Sequence, residues 1–317
     1  FNGLPVAPAV PQWPIRGQVQ PKARLCVRGD QQWPKPPSSK TYAPTPSATE
    51  VRTLIALATH RKWEIHSCDI SQAFVQSDPV PPDEHLYVRP PPGANVPAGT
   101  IWKLKKYLYG LATAPCAWHS TLQSFLLDYG FSKVNGSDSY YTWTDGVSNM
   151  HLCAYVDDIC VSFDTLSTFQ TFRDALLTRF KGTYEGPVTQ YVGIDISSTV
   201  DGKTHLTQEP LARDLLEKCG MSSCTPVLTP MEPGTHLLDA DRPINPDAGL
   251  RHQYQEIVGS LQYLCTWTRP DLVFATNQLA KHMSNPGPAH VTAAKRVLCY
   301  LKGTAHLGIT YSASLEG

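Results

Sequence analysis

Apolar positions recur at two periods along the 317-residue chain and mark out its elements. Ser47 and Glu50 form an S-x-x-E capping box, and Val51, Leu54, Ile55 and Ala58 follow at helical spacing, so a helix is predicted there. Trp63 to Ile70 reads as a strand. Residues 101–109 alternate through Ile101, Lys103, Leu104 and Lys105 and read as another. Leu122, Phe125, Leu126 and Tyr129 share one face of a helix that Gly130 should end. Residues 151–163 are two short apolar runs about a two-residue turn. Phe169, Phe172, Leu176 and Phe180 line a further helix, and a short strand is read from Tyr191 to Ile196.

The order strand, helix, strand, turn, strand, helix, strand is the split β-α-β pattern of an α+β fold. It predicts an antiparallel sheet with helices packed on one face. The back third is mostly helical. Leu211, Leu215, Leu216 and Cys219 define one helix, and Tyr254, Ile257, Val258, Leu261 and Leu264 a second. Ala294, Val297, Leu298 and Leu301 define a last one, with Lys295, Arg296 and Lys302 opposite. A domain boundary is expected near residue 197. Proline crowds residues 1–21, 34–46 and 79–97, which excludes regular helix and central strand. Residues 1–20 therefore read as a linker, and 30–46 and 79–100 as long loops.

Charge changes this picture only locally. The chain carries 27 Lys+Arg against 27 Asp+Glu, which excludes a uniformly basic binder and an acidic disordered tail. Residues 1–68, however, hold nine basic groups and three acidic ones, net +6. Lys103, Lys105 and Lys106 form a second basic patch, and Lys281, Lys295, Arg296 and Lys302 a third. Such patches fit either a polyanion that touches several lobes or ordinary solvated faces. The nine cysteines include no C-x-x-C pair and read as free thiols of a reducing compartment rather than a zinc site. No apolar run is long enough to cross a membrane. The chain opens on Phe1 without a signal segment, so it is expected to be a piece of a longer protein.

The most informative chemistry lies in His151-Leu-Cys-Ala-Tyr-Val-Asp157-Asp158-Ile-Cys-Val-Ser-Phe163. Asp-Asp suits a primed hairpin turn poorly, and adjacent anions raise each other's pKa. Such a pair is either a solvated turn or a divalent-metal site. Asp69, at the end of the strand after Cys68, adds a second apolar-flanked carboxylate. In the split pattern it would converge with Asp157 at one end of the sheet. Hard oxygen ligands with room for phosphate suit Mg²⁺.

The ordered set KARLCVRGDQQ (22–32), CDISQAF (68–74), LYVRPPPG (86–93), IWKLKKYLYGLATAPCAW (101–118), YVDD (155–158), YVGIDI (191–196) and YQEIVGSLQYLCTWTRPDLVFA (254–275) resembles the reverse transcriptase of copia-type LTR retrotransposons. The resemblance runs from Lys22 to about Tyr311. It implies a right-hand polymerase, with fingers and a split β-α-β palm over 21–196 and a mostly helical thumb with the start of the connection over 197–317. It implies an RNA-directed DNA polymerase that binds a primed RNA or DNA template and dNTPs, uses two Mg²⁺ ions or Mn²⁺, and needs no membrane. The setting would be the cytoplasmic virus-like particle, with nuclear entry after transposition. The oligomeric state is not read from the sequence.

The catalytic positions fall on Asp69, Asp157 and Asp158. Asp69 and Asp157 would hold both metals, Asp158 would support them, and the main chain of Ile70 would belong to the same surroundings. Phe74 falls where an aromatic against the sugar excludes a 2′-hydroxyl, although on residue type alone it reads as core. Arg24 and Lys22 would meet the incoming triphosphate. Tyr109, Gly110 and Pro115 fall in the segment contacting template and dNTP, with Gly110 letting the backbone approach a base pair. Tyr191, Val192 and Gly193 would grip the primer 3′ end, and the helix near Lys295 and Arg296 would track the duplex. In the family a ribonuclease H domain would begin near Gly317, so this chain is not expected to degrade RNA in hybrids. Cys116 replaces what is commonly a basic residue. The rival reading is a degenerate, non-catalytic, nucleic-acid-binding retroelement remnant. A metal-dependent hydrolase would need a His cluster such as H-E-x-x-H, which is absent.

Overall fold

A computed structural model describes residues 25–244 and 247–313. Lys22, Arg24 and the expected linker 1–20 lie outside them. The described chain divides into two compact units, 25–54 with 64–187 and 55–63 with 188–313. The break after Pro187 falls ahead of the boundary expected near residue 197.

Helix α1 (Ala48–Arg61) begins in the first unit and ends in the second. Its start is the capping box: the Glu50 N–H donates to Ser47 Oγ at 3.2 Å, and the Ser47 N–H donates to the Glu50 carboxylate at 2.6 Å. The first unit then runs β1 (Glu64–Ile70), α2 (Ala73–Gln76), β2 (Tyr87–Val88), β3 (Trp102–Lys103) and α3 (Ala114–Tyr129). Next come β4 (Ser132–Lys133), β5 (Tyr140–Thr144), β6 (Asn149–Tyr155), β7 (Asp158–Phe163), α4 (Leu166–Arg179) and β8 (Gly182–Pro187). The sheet order is β4-β5-β6-β7-β1-β8, antiparallel throughout.

Strand period two sorts the side chains of this sheet. Cys68 and Ile70, Leu152 and Ala154, and Ile159, Val161 and Phe163 form one core with Trp118, Leu122 and Leu126 of α3 and Phe169, Phe172 and Leu176 of α4. Each large side chain buried there contributes about 1.5–3 kcal/mol. Helix α3 stops at Gly130, whose φ of 108° lets its N–H reach the Leu126 and Leu127 carbonyls. The alternate positions, Ser67, Asp69 and Asp158 among them, belong to the other face. There burial, with a smaller contribution from the Glu50 charge, raises the Tyr140 and Cys153 groups above their ordinary values.

Three expectations change. The last strand of the predicted pattern, which flanks β1 on the side away from β7, is β8 and not Tyr191–Ile196. Its sequence Gly182-Thr-Tyr-Glu-Gly-Pro187 has no apolar run, and its fit depends on Gly182, where a Cβ would stand 2.5 Å from the Asp69 carbonyl oxygen. Strands β4 and β5 extend the sheet beyond the predicted pattern. Residues 101–109 give only β3, paired with β2; beyond it Leu104, Tyr107 and Leu108 turn inward with Leu86 and Leu111.

The second unit holds β9 (Gln190–Tyr191), β10 (Ile194–Ser198), β11 (Thr204–Thr207), α5 (Glu209–Lys218), α6 (Ala248–Trp267), α7 (Val273–Ala280), α8 (Pro288–Gly303) and β12 (Ile309–Tyr311). Its sheet order is β12-β11-β10-β9. Tyr191–Ile196 is thus a hairpin bent at Val192-Gly193 rather than one strand. Leu215 and Leu216 of α5, Tyr254, Val258 and Leu261 of α6, Leu279 of α7, and Val297, Leu298 and Leu301 of α8 form the helical core. On the other side of α8, Arg296 pairs with Glu232 at 2.8 Å and bonds Thr229, and Lys302 Nζ donates to the Cys224 carbonyl at 2.6 Å. Arg296, expected to track a duplex, and Lys302 on the same helix therefore hold the chain's own 224–232 segment, while Lys295 stays exposed. Among the described residues no helix is long and apolar enough to cross a membrane.

Candidate active site

Register brings the carboxylates of the first unit together. In the β1–β7 ladder Asp69 stands opposite Asp158, and in the β6–β7 ladder Tyr155 stands opposite Asp158. The hairpin turn is therefore Val156-Asp157, with Asp158 already in β7. This corrects the reading of Asp157-Asp158 as the turn. Register follows the inward-facing Ile159, Val161 and Phe163, which leaves Asp158 on the strand. Val156 lies at φ 58°, a costly conformation for a β-branched residue. The Asp157 φ is not positive, so the turn has the φ pattern of type II′, which favours glycine where Val156 sits.

The carboxylate-bearing loop is fastened on both sides. The Ile70 N–H donates to the Asp157 carbonyl at 2.9 Å, and Trp118 Nε1–H donates to the Val156 carbonyl at 2.6 Å. Beyond β1, the Ser71 N–H donates to the Lys181 carbonyl at 2.9 Å. The Gln76 side chain donates to the Ser71 and Lys181 carbonyls and accepts from the Lys181 N–H. Glu185 of β8 accepts from Ser67 Oγ at 3.2 Å.

Asp158 is pushed up to about 6, first by burial and then by the charges of Asp157, Asp69 and Glu185. Glu185 was not anticipated, because β8 has no readable strand pattern. Mutual repulsion among hard oxygen donors fits a divalent cation such as Mg²⁺. Asp69, Asp157 and Asp158, with the main chain at Ile70, are the residues that could hold it. Among the described residues no three His, Cys, Asp or Glu side chains already converge as a ligand group. A thiol nucleophile is not offered here. Cys68 and Cys160 on the central strands are buried, and burial holds their thiols near 11 and 12.

Phe74 and Tyr109 form a second group in the same unit. Phe74 is partly buried between two apolar clusters, and its ring centroid lies 4.8 Å from that of Tyr109. The Val27 N–H donates to the Tyr109 carbonyl at 2.6 Å, and Cys26 bridges Tyr109 in parallel. Gly110 has φ 88°, and a Cβ on it would stand 1.9 Å from the Val27 carbonyl oxygen. The glycine is therefore required for the approach of two segments of this chain. Pro115 sits in the first turn of α3, where its missing N–H costs nothing. Cys116 Sγ is 3.8 Å from the Ser39 carbonyl.

Tyr191, Val192 and Gly193 belong to the second unit. Val192 and Gly193, at φ 43° and 71°, form the turn, and Tyr263 Oη donates to the Val192 carbonyl at 2.7 Å.

Residues 14–233 match the family described as reverse transcriptase (RNA-dependent DNA polymerase), and the chain belongs to that family. Its relatives are Pol polyproteins of copia-type retrotransposons. It is 34% identical over 298 residues to the retrovirus-related Pol polyprotein from transposon RE1 of Arabidopsis thaliana, covering 91% of this chain and 19% of the relative. It is 30% identical over 294 residues to that from transposon TNT 1-94 of Nicotiana tabacum, covering 90% and 22%. The chain thus spans about a fifth of the length of the curated relatives it matches. A foamy viral protease-reverse transcriptase, solved in complex with double-stranded DNA, aligns at a TM-score of 0.42 with 12% identity, over 96% of this chain and 44% of that one.

Proposed function

We propose that the chain is the catalytic core of an RNA-directed DNA polymerase, built as a right hand. The first unit would supply fingers and palm, and the second the thumb and the start of the connection. The observation that carries the reading is the register that sets Asp69 against Asp158 with Asp157 in the adjoining turn. The sequence resemblance implies catalytic roles for these same residues, and membership of the family supports that reading.

The partners are a primed RNA or DNA template and dNTPs. Two Mg²⁺ ions, or Mn²⁺, would acidify the primer 3′-hydroxyl and offset the triphosphate charge. Asp69 and Asp157 would hold them together with the Ile70 main chain, and Asp158 would maintain the negative field. Arg24 and Lys22 would orient the triphosphate, and Tyr109 and Gly110 would line the nascent pair. Phe74 would press against the sugar and leave no room for a 2′-hydroxyl. Tyr191, Val192 and Gly193 would steady the primer end. The 3′-oxygen would then bond the α-phosphorus as its proton passes to solvent, and the bond from the α-phosphorus to the α,β-bridging oxygen would break to release pyrophosphate. The protein's share is positioning and charge compensation.

Primer extension tests this reading. Purified chain with RNA template, DNA primer, dNTPs and Mg²⁺ should extend the primer, and Asp157→Asn should not, while both bind primer–template alike. A folded chain that binds but never extends would make it the non-catalytic remnant. A Phe74→Val variant should admit rNTPs; unchanged sugar selectivity would remove Phe74 from the site.

A further inference from the structure

We propose that Trp118 is the positioning residue for Asp157, acting through the main chain of the hairpin turn. This rests on the polymerase reading of the same site. Val156, immediately before Asp157, is held at φ 58°, where a β-branched residue is disfavoured. Such a conformation persists only where the surroundings over-determine it. Here two hydrogen bonds do so. The Ile70 N–H holds the Asp157 carbonyl at 2.9 Å, and the Trp118 indole N–H holds the Val156 carbonyl at 2.6 Å. The Val156 carbonyl belongs to the same planar peptide as the Asp157 N–H, so fixing one end orients the other.

The indole is itself closely packed. Trp118 is 2% exposed, lies in the α3 face of the core and meets Phe180 edge-on at a centroid distance of 5.1 Å. Helix α3 also begins just after the Tyr109–Gly110 segment. One helix therefore links the rear of the carboxylate turn to the segment expected to contact template and dNTP. Without the indole N–H, the Val156 peptide is free to rotate toward an ordinary turn and carry Asp157 with it.

Trp118→Phe keeps an aromatic ring and removes the donor. In primer extension, kcat should fall about 10- to 100-fold, while KM for dNTP and the Kd for primer–template stay within about twofold. Val156→Gly in the same background should recover most of the loss, because glycine takes φ 58° without strain. A role in packing alone predicts a lower melting temperature, no kcat-selective loss and no rescue by glycine; that result overturns the proposal. Indole N–H exchange in the unmutated chain supplies a readout independent of synthesis. The Trp118 resonance should exchange far more slowly than that of exposed Trp33, and equal rates would overturn the clamp. If the unmutated chain fails to extend primer but the Trp118 indole is protected, the polymerase reading fails and the clamp stands as a structural fact.

Discussion

Two hairpin turns in this chain share a device and differ in what they present. Val156-Asp157 and Val192-Gly193 each begin with a valine at positive φ, and in each an aromatic side chain donates to that valine's carbonyl. In the second turn the following residue is glycine at φ 71°, so half of the unfavourable geometry falls on a residue that tolerates it. In the first the following residue is an aspartate, and the valine carries the positive φ alone. Trp118 is 2% exposed, whereas Tyr263 is 39% exposed. The comparison teaches that strained turns need not be functional in themselves. What sets the first apart as a candidate site is that strain and a buried donor coincide with the Asp69–Asp158 pairing on one sheet face.

The largest expected effect breaks the first turn's chemistry. Asp157→Asn should lower primer extension by on the order of 10³-fold or more without loss of folding, checked by extension rates and circular dichroism. Next comes the second turn. Gly193→Val would set a Cβ 2.8 Å from Tyr263 Oη at φ 71°. It should destabilise the fold by about 2–3 kcal/mol, read by urea unfolding. Tyr263→Phe removes a single partly exposed hydrogen bond and should cost only about 1 kcal/mol in the same assay. The contrast with Trp118→Phe, read in kcat, separates a clamp that aims a carboxylate from one that closes a hairpin.

The smallest effect is a pH dependence. Asp158 is raised to about 6, so the folded state holds its proton more tightly than the unfolded chain does. That stabilisation is present below the ordinary carboxylate range and is lost as pH rises through 6. Asp158→Asn should therefore melt above the unmutated chain at pH 8 in the absence of divalent ions, by a few degrees, and show no gain at pH 4. Partial exposure screens the shift and keeps it near about 1 kcal/mol. Added Mg²⁺ should narrow the pH 8 gap by raising the unmutated protein; an unchanged gap would argue against a cation at these carboxylates.

Much of the first unit was legible because its strands and helices bury apolar residues at regular periods. The capping box at Ser47 and Glu50, the stop at Gly130 and the buried faces of α3 and α4 all follow from neighbours within one turn of helix. The misread parts lack that local signal. Strand β8 is polar and glycine-rich, and pairs with β1 because Gly182 admits the Asp69 carbonyl. Tyr191–Ile196 carries a strand-like composition but bends at Val192-Gly193, where Tyr263, far along the chain, holds the turn.

The sequence by itself determined the α+β class, the family and the residue types of the site. These depend on composition and on the order of short motifs along the chain. Only the tertiary structure decided that Asp69 faces Asp158, that Asp157 occupies the turn behind a strained valine, that Glu185 joins the acidic face and that Gly110 is required by Val27. Each of these depends on strand register or on the approach of segments apart in sequence. Strand register and backbone approach are set by the packing of whole elements, and no local pattern of residues encodes them.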